Sequence, residues 1–485
     1  MSTISHRRES FAGERQDEIS EFCQGLFAPF ARSDQRRWGE VYLRGLLHAQ
    51  GRKTPANISE HVLGRRAVQP IQQFVNQSTW SFEGVRRHLA ERLCTVTTPK
   101  AWSFDEVVFP KNGARSAGVG RQFVASEGRM MNCQLALASS LVHENGSVPV
   151  NWHLMLPRHW DQDEELRGHA HIPEEQRHRP RWRYLLESVD EILIDWDVPA
   201  APVLADWSFE NDVEPLLLGL EERGLGYLVE VAPSAKLMVR RPVSPGNMQY
   251  WAAADVARDL GEHGERVVLA WQEKPDNRAR HSQFLVGRLP SAQPPARRVG
   301  PHLPGHRPAA RHLVVEWPFG RPQPRTYWVT SLPVARLHET VALAELRHRA
   351  VSGCEKLQDF GLGDFEGRSF RGWHHHVTLA SAAAGFHALR ELTRSAEEPE
   401  AVELTGAQPG DRQADAGAAG AESSALVQDG LTPRDEELYE DELLDEEILE
   451  AEEELEDEIR EELRAEVREE SRAEVREELR AELRR

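Results

Sequence analysis

Apolar residues recur at three- and four-residue intervals through the first hundred positions, in "ISEFCQGLFAPFA", "RRWGEVYLRGLLHAQ" and "SFEGVRRHLAERL". That period predicts amphipathic helices. The Pro and Asn breaks of "KTPANISEHV" and "AVQPIQQFVN" predict shorter helices between them. Residues 1–98 are therefore expected to form a helical N-terminal domain, a shape that can present a helix to a DNA groove. From Trp102 the pattern changes. "FDEVVF", the two segments on either side of Asn145-Gly146, "APVLAD" and "LGYLVEV" read as strands, the Asn-Gly pair as a hairpin turn. "FENDVEPLLLGLEERG" between the last two reads as a helix closed by Gly224. An antiparallel meander followed by a strand-helix-strand unit predicts a mixed α/β sheet.

Residues 274–325 break the pattern, with many prolines, the strand fragments "SQFLVG" and "RHLVVEWP", and ten basic against two acidic side chains. This is either a solvated Arg/Pro loop or a strip lying on a phosphate backbone, and Arg297, Arg298, Arg307 and Arg311 are its expected DNA contacts. The strand "TYWVTSL" and a helix over 339–360 return to packed structure. That helix includes "ELRHRAVSGCEKLQDFGL" and ends at a glycine. Residues 395–434 have almost nothing to bury and are expected to be a disordered linker.

Residues 435–485 carry a four-residue repeat with Leu455, Ile459, Leu463, Val467, Val475, Leu479 and Leu483 along it. Four steps overshoot a helical turn by about 40°, so this apolar stripe spirals round the helix and predicts a charged single helix. Leu444, Ile448, Leu455 and Ile459 lie nearer heptad spacing, which leaves self-association or a protein partner open.

Composition adjusts this picture in two ways. The polar N-terminus and the absence of any run near the ~20 apolar residues of a membrane helix point to a soluble protein with no membrane partner. Four cysteines with no CxxC pair fit a reducing cytoplasm. The net charge of −20 seems to exclude DNA, but residues 433–485 hold 25 acidic and 9 basic side chains, leaving 50 basic against 54 acidic elsewhere. The body of the chain is nearly neutral, and its positive charge is almost all arginine, whose fork suits phosphate.

Two acids follow apolar runs, Asp105 and Asp206. At the ends of neighbouring strands they could share Mg²⁺, a hard cation that needs only one or two carboxylates besides phosphate oxygens. By spacing alone, an Asp in such a place is more often a turn or cap residue. His374, His375 and His376 invite a metal reading too, but three consecutive helical residues point in different directions, which favours structural roles.

Four ordered blocks bear on the choice. "FDEVVFPKNGARSAGVGRQFVASEGRMMNCQLALASSLV" resembles the first block of bacterial insertion-sequence transposases of the DDE type, which carry a metal-binding Asp in a D-[DE]-T-G-F-x-K-K-G context. "LPRHWDQDEELRGHAHIPEEQRHRPRWRYLLESVDEI", "VPAAPVLADWSFENDVEPLLLGLEERGLGYLVEV" and "FGLGDFEGRSFRGWHHHVTLASAAAGF" resemble later blocks of that family, the third-named being the one that holds its second Asp.

The resemblance implies an RNase H-like DDE domain over 99–394 with a β-rich insertion at about 231–330. Asp105 would bridge two Mg²⁺ (or Mn²⁺) ions, and Asp206 would complete one of them. It also implies double-stranded DNA as partner, at the terminal inverted repeats of an element and at a target, with the freed 3′-hydroxyl joined to the target strand. Such enzymes work as homodimers, and a cytoplasmic, nucleoid-associated protein is expected. Lys111 and Arg347 fall on basic positions of the family motifs and are carried over as DNA contacts.

The third acidic block departs from the family. Relatives carry Y-x2-R-x3-E-x6-K, whereas counting from Arg347 gives Ala344, Val351 and Gln358 at the other three positions. Valine cannot bind a hard cation. Glu355, one turn beyond, is the remaining carboxylate that could take the third place. Two expectations follow: a transposase rescued by Glu355, or a transposase-derived DNA-binding or regulatory protein that no longer cuts.

Overall fold

The computed structural model describes residues 18–144, 146–240, 248–263, 266–273, 278–290 and 310–397. The expected linker and charged helix beyond 397 lie outside the described residues, as do Arg297, Arg298 and Arg307.

Five helices come first: α1 (18–26), α2 (Ser33–His48), α3 (Pro55–Leu63), α4 (Val68–Asn76) and α5 (Phe82–Val96). Their ends follow from local chemistry. Thr54 and Ser81 are N-caps whose hydroxyls accept from Asn57 N and Gly84 N, and Pro55 opens α3, where no amide donor is needed. Gly64, at φ 63°, closes α3 in the left-handed conformation that glycine adopts without penalty.

Strands β1 (Ala101–Pro110), β2 (Gly120–Val124), β3 (Arg129–His143) and β4 (Gly146–Met155) follow, then helices α6 (Glu164–Ala170) and α7 (Arg181–Asp190). The chain continues through β5 (Val203–Trp207), α8 (Glu214–Glu222), β6 (Tyr227–Val231), β7 (Lys236–Arg240), β8 (Met248–Ala252) and α9 (Ala253–His263). It ends with β9 (Arg266–Glu273), β10 (Arg278–Arg288), β11 (His312–Pro318), β12 (Thr326–Thr330), α10 (Leu337–Lys356) and α11 (Phe370–Glu397).

Ten strands form one mixed sheet. Its central path runs β4-β3-β1-β5-β6, with β2 also pairing to β3. β1 is antiparallel to β3 and parallel to β5, and β5 is parallel to β6. This is the mixed α/β sheet that the strand pattern predicts. β12, β11, β10 and β9 continue it antiparallel from the β6 edge, so most of the expected insertion extends the same sheet. β7 and β8 pair separately.

Side chains alternate between the two faces of a strand. On one face Leu204, Leu228 and Val314 pack with Leu337, Val341 and Ala344 of α10. On the other, Trp102, Ala205 and Val229 join a cluster that includes Leu185 of α7, Leu216 of α8, Leu89 of α5 and Phe386 of α11. The N-terminal helices thus share one continuous core with the sheet. By the same alternation, Asp105, Asp206 and Glu230 fall on the face covered by α10.

The helix expected over 339–360 runs instead from Leu337 to Lys356. Beyond it, Leu357 N donates to Cys354 O and Gln358 N to Glu355 O, i→i+3 bonds that tighten the end until Gly361 turns the chain at φ 76°. Near the same end, Gly353 lets α10 lie close on β4: a Cβ there would meet Ser147 Oγ at 2.1 Å.

The three histidines fasten α11 to its surroundings. His374 Nδ1 is 2.9 Å from Arg86 Nη2, the two ring nitrogens of His375 lie 2.8 and 3.0 Å from the carbonyls of Val75 and Trp80, to one of which the neutral ring donates, and His376 bonds Tyr42 Oη and the Gly361 carbonyl. All three are buried, and burial holds His375 and His376 down at about 4 and His374 well below the ordinary range. They are neutral packing groups, and each points to a different neighbour.

Candidate active site

Asp105 and Asp206 meet because β1 and β5 run parallel in register. Phe104 pairs with Ala205, and each aspartate is the next residue on its strand. Asp206 is itself the pairing partner of Glu230 on β6. Three carboxylates therefore line up across three adjacent strands on one face.

Local hydrogen bonds turn the two aspartates. Ser103 Oγ donates to Asp105 Oδ2 at 2.6 Å, and Ser208 donates through both N and Oγ to Asp206 Oδ1, at 2.9 and 2.6 Å. Asp105 Oδ1 and Asp206 Oδ2 are left for a shared partner. That partner is Arg347, whose guanidinium stands between the strands. Its Nε is 3.5 Å from Asp105 Oδ1, its Nη2 3.0 Å from Asp206 Oδ2, and its Nη1 3.4 Å from Glu230 Oε2.

One cation faces three acids in a largely dry place. Asp105 is only 6% exposed, and burial raises its carboxyl above the usual range against the opposing pull of Arg347 and Ser103. Burial and the neighbouring Asp206 push Glu230 up to about 7, with Arg347 working the other way. Burial disfavours the Arg347 charge, but the combined field of Asp105, Asp206 and Glu230 outweighs it and holds the guanidinium protonated above its ordinary value. Beside the cluster lies a cavity of about 280 Å³ whose walls include Glu230, Arg325, Trp328, Arg347 and His348.

This donor set suits a divalent cation. It consists of hard carboxylate oxygens, and Asp105 Oδ1 is buried without a hydrogen bond. Among the described residues no three His, Cys, Asp or Glu side chains stand at coordinating spacing; the three carboxylates converge on the guanidinium.

Residues 25–254 match the family model for DDE superfamily endonucleases. The match spans a little under half of the chain. The matched stretch carries the N-terminal helices from α2 onward, both aspartates and Glu230, and ends before α10, so it is silent on the third acidic block. No curated protein matches the chain. None of the described helices is long and apolar enough to cross a membrane.

The remaining predicted site residues are placed as follows. Glu355 is exposed, two turns and about 12 Å along α10 from Arg347. Its neighbour Cys354 is the one that faces the sheet, with Sγ 4.0 Å from Ser140 Oγ. Glu355 thus faces solvent near the end of α10. Lys111 is half-buried just past β1, its Nζ 3.4 Å from the Phe365 carbonyl, and burial lowers its pKa.

The expectation for Arg311 is corrected. It is only 2% exposed and is held by Glu214 at 2.8 Å and Glu221 at 2.5 Å, which fixes β11 to α8 and leaves no face for DNA. Arg347 meets the carboxylates of Asp105, Asp206 and Glu230.

Sequence reasoning missed Glu230. A signal for it exists in "LGYLVEV": an acid between Val229 and Val231, both fully buried, in the middle of a strand parallel to its neighbour. Such a strand is covered on both faces, so an acid in it needs a partner.

Proposed function

We propose that this protein is a DDE-type insertion-sequence transposase that cuts double-stranded DNA at the ends of its element and joins the freed 3′-hydroxyl to a target strand. The reading is carried by one observation, the in-register placement of Asp105 and Asp206 on parallel strands with one oxygen of each aimed at a common point. Asp105 and Asp206 would hold divalent ions, Mg²⁺ or Mn²⁺. Bound there, such ions supply charge to activate a water and to stabilise the leaving oxygen of a phosphodiester.

The chain's own residues do the rest. Ser103 and Ser208 fix the carboxylate rotamers, as second-shell donors do in metal sites. The covering helix α10 keeps bulk water from the buried face, which strengthens every charge interaction in it. Arg347 belongs to α10, and its guanidinium would be free to meet a DNA phosphate if divalent ions held the aspartates. Arg297, Arg298, Arg307 and Lys111 are the proposed backbone contacts.

A second reading is favoured by a specific observation: Arg347 already pairs with both aspartates, and Val351 offers no oxygen. In that reading the protein binds DNA without cutting. Both are tested by incubating the full chain with Mn²⁺ or Mg²⁺ and DNA that carries the flanking inverted repeats. Nicking that disappears in Asp105→Asn and Asp206→Asn establishes the transposase. Binding without nicking, unchanged in both variants, establishes the inactive form.

A further inference from the structure

We propose that Glu230 supplies the third carboxylate of the divalent-cation site, in place of the acid missing at Val351, and that Arg347 occupies that site as a tethered cation which the metal displaces. The inference rests on the metal-dependent reading above and names the residues that complete it.

Four observations converge. Glu230 is the direct strand neighbour of Asp206, on the same face, so its carboxylate comes from the rigid sheet and not from α10. The three carboxylates take the three nitrogens of one guanidinium separately, Asp105 on Nε, Asp206 on Nη2 and Glu230 on Nη1, so a single positive charge is enclosed from three sides. Structural arginines in this protein are held differently: Arg311 is gripped by two acids that each take one of its edges at 2.5–2.8 Å.

The fit around Arg347 is also incomplete. Asp105 Oδ1 and Arg347 Nε are both buried, face each other at 3.5 Å, and neither makes a hydrogen bond. A buried carboxylate oxygen in that state loses the solvation of water without gaining a hydrogen bond. A small divalent ion would meet it directly once the guanidinium withdraws and the carboxylates, now spaced around that group, close on the ion. Lastly, the cavity beside the cluster has Glu230 and Arg347 in its wall, so it offers a hydrated ion an approach and gives the guanidinium space to withdraw. Arg325 and His348 share that wall. Arg325 also favours the charged form of Glu230 and stays as a neighbouring positive charge whether or not Arg347 moves.

The balance of charge decides the exchange. Three carboxylates with one arginine leave excess negative charge in a dry site, and a divalent ion cancels more of it than a guanidinium does. Arg347 therefore keeps the metal-free sheet edge from repelling itself apart, and also competes with the ion.

The test is Mn²⁺ affinity of the full chain without DNA, followed by calorimetry and by loss of the free-Mn²⁺ paramagnetic signal. Expected are measurable binding in the unsubstituted protein, no binding in Asp206→Asn, and affinity weakened about tenfold or more in Glu230→Gln. Arg347→Gln should bind more tightly than the unsubstituted protein, and Glu355→Gln should bind equally.

If Glu230→Gln fails to fold, the charge-compensated double variant Arg347→Gln/Glu230→Gln replaces it and should bind more weakly than Arg347→Gln by a similar factor. Binding that needs Asp206 but is indifferent to Glu230 overturns the assignment of Glu230 and leaves the transposase reading standing. Unchanged or weaker affinity in Arg347→Gln overturns the tethered-cation role. Absence of Mn²⁺ binding in both the unsubstituted protein and Arg347→Gln overturns this inference and the metal-dependent reading together.

Discussion

Arg347 donates to Asp206 across 3.0 Å from a helix that starts more than a hundred residues further along the chain. It is the contact that joins α10 to the acidic edge of the sheet. With Asp105 and Glu230 at its other nitrogens, the guanidinium is both the electrostatic cement of that edge and the obstacle to a metal there.

Replacing Arg347 by methionine keeps much of its bulk and removes its charge. Three partly or fully buried carboxylates then face one another, and the loss of one partner from such a set costs about 3–5 kcal/mol. Urea denaturation in EDTA should show that loss, and Mn²⁺ should restore much of it because it binds only the folded form. A loss below about 1 kcal/mol, the range of an exposed pair, would show that the cluster is not held by Arg347.

The basic segment separates into two kinds of arginine. Neutralising Arg297, Arg298 and Arg307 together should make the dependence of log DNA affinity on log salt shallower by about 2 to 3, as expected for the loss of three phosphate contacts. Arg311→Met should instead leave the salt slope unchanged and destabilise the fold by about 3–5 kcal/mol, because Glu214 and Glu221 lose their buried partner. A slope that follows Arg311 as strongly as the other three would contradict its structural assignment.

How much of this could be read from the chain depends on how local the cause is. The helical and strand periods, the antiparallel pairing of β3 with β4 and the two aspartates that end apolar runs follow local patterns, and they were legible. Glu230 was not, because its importance comes from lying beside Asp206, a relationship set by the pairing of β5 with β6. Arg311 sits in a stretch rich in Pro and Arg that reads as a surface strip, yet its partners lie on α8, some 90 residues earlier. Glu355 looked suitable by counting turns from Val351. Only the packing of Cys354 against Ser140 shows which way that end of the helix is rotated.

Acid should weaken the fold through the buried histidines. His375 and His376 titrate near 4 in the folded chain and near the ordinary 6.5 when unfolded, so the unfolded chain binds more protons between those values. Their contribution is fully present above about pH 6.5 and is lost as pH falls toward 4, roughly 3 kcal/mol for each ring at the low end. Denaturation midpoints should fall steadily from pH 7 to pH 4.5, and His376→Gln should flatten that slope. A midpoint independent of pH over this range would mean the rings are not held neutral.

The account turns on whether the sheet edge that carries Asp105 and Asp206 accepts a divalent ion. Crystals of the full chain soaked in Mn²⁺ and measured for anomalous scattering test this most directly. The account predicts an anomalous peak within coordination distance of Asp105 and Asp206, with the Arg347 guanidinium withdrawn from between them. No peak at that position, with Arg347 still bonded to both aspartates at saturating Mn²⁺, would contradict it.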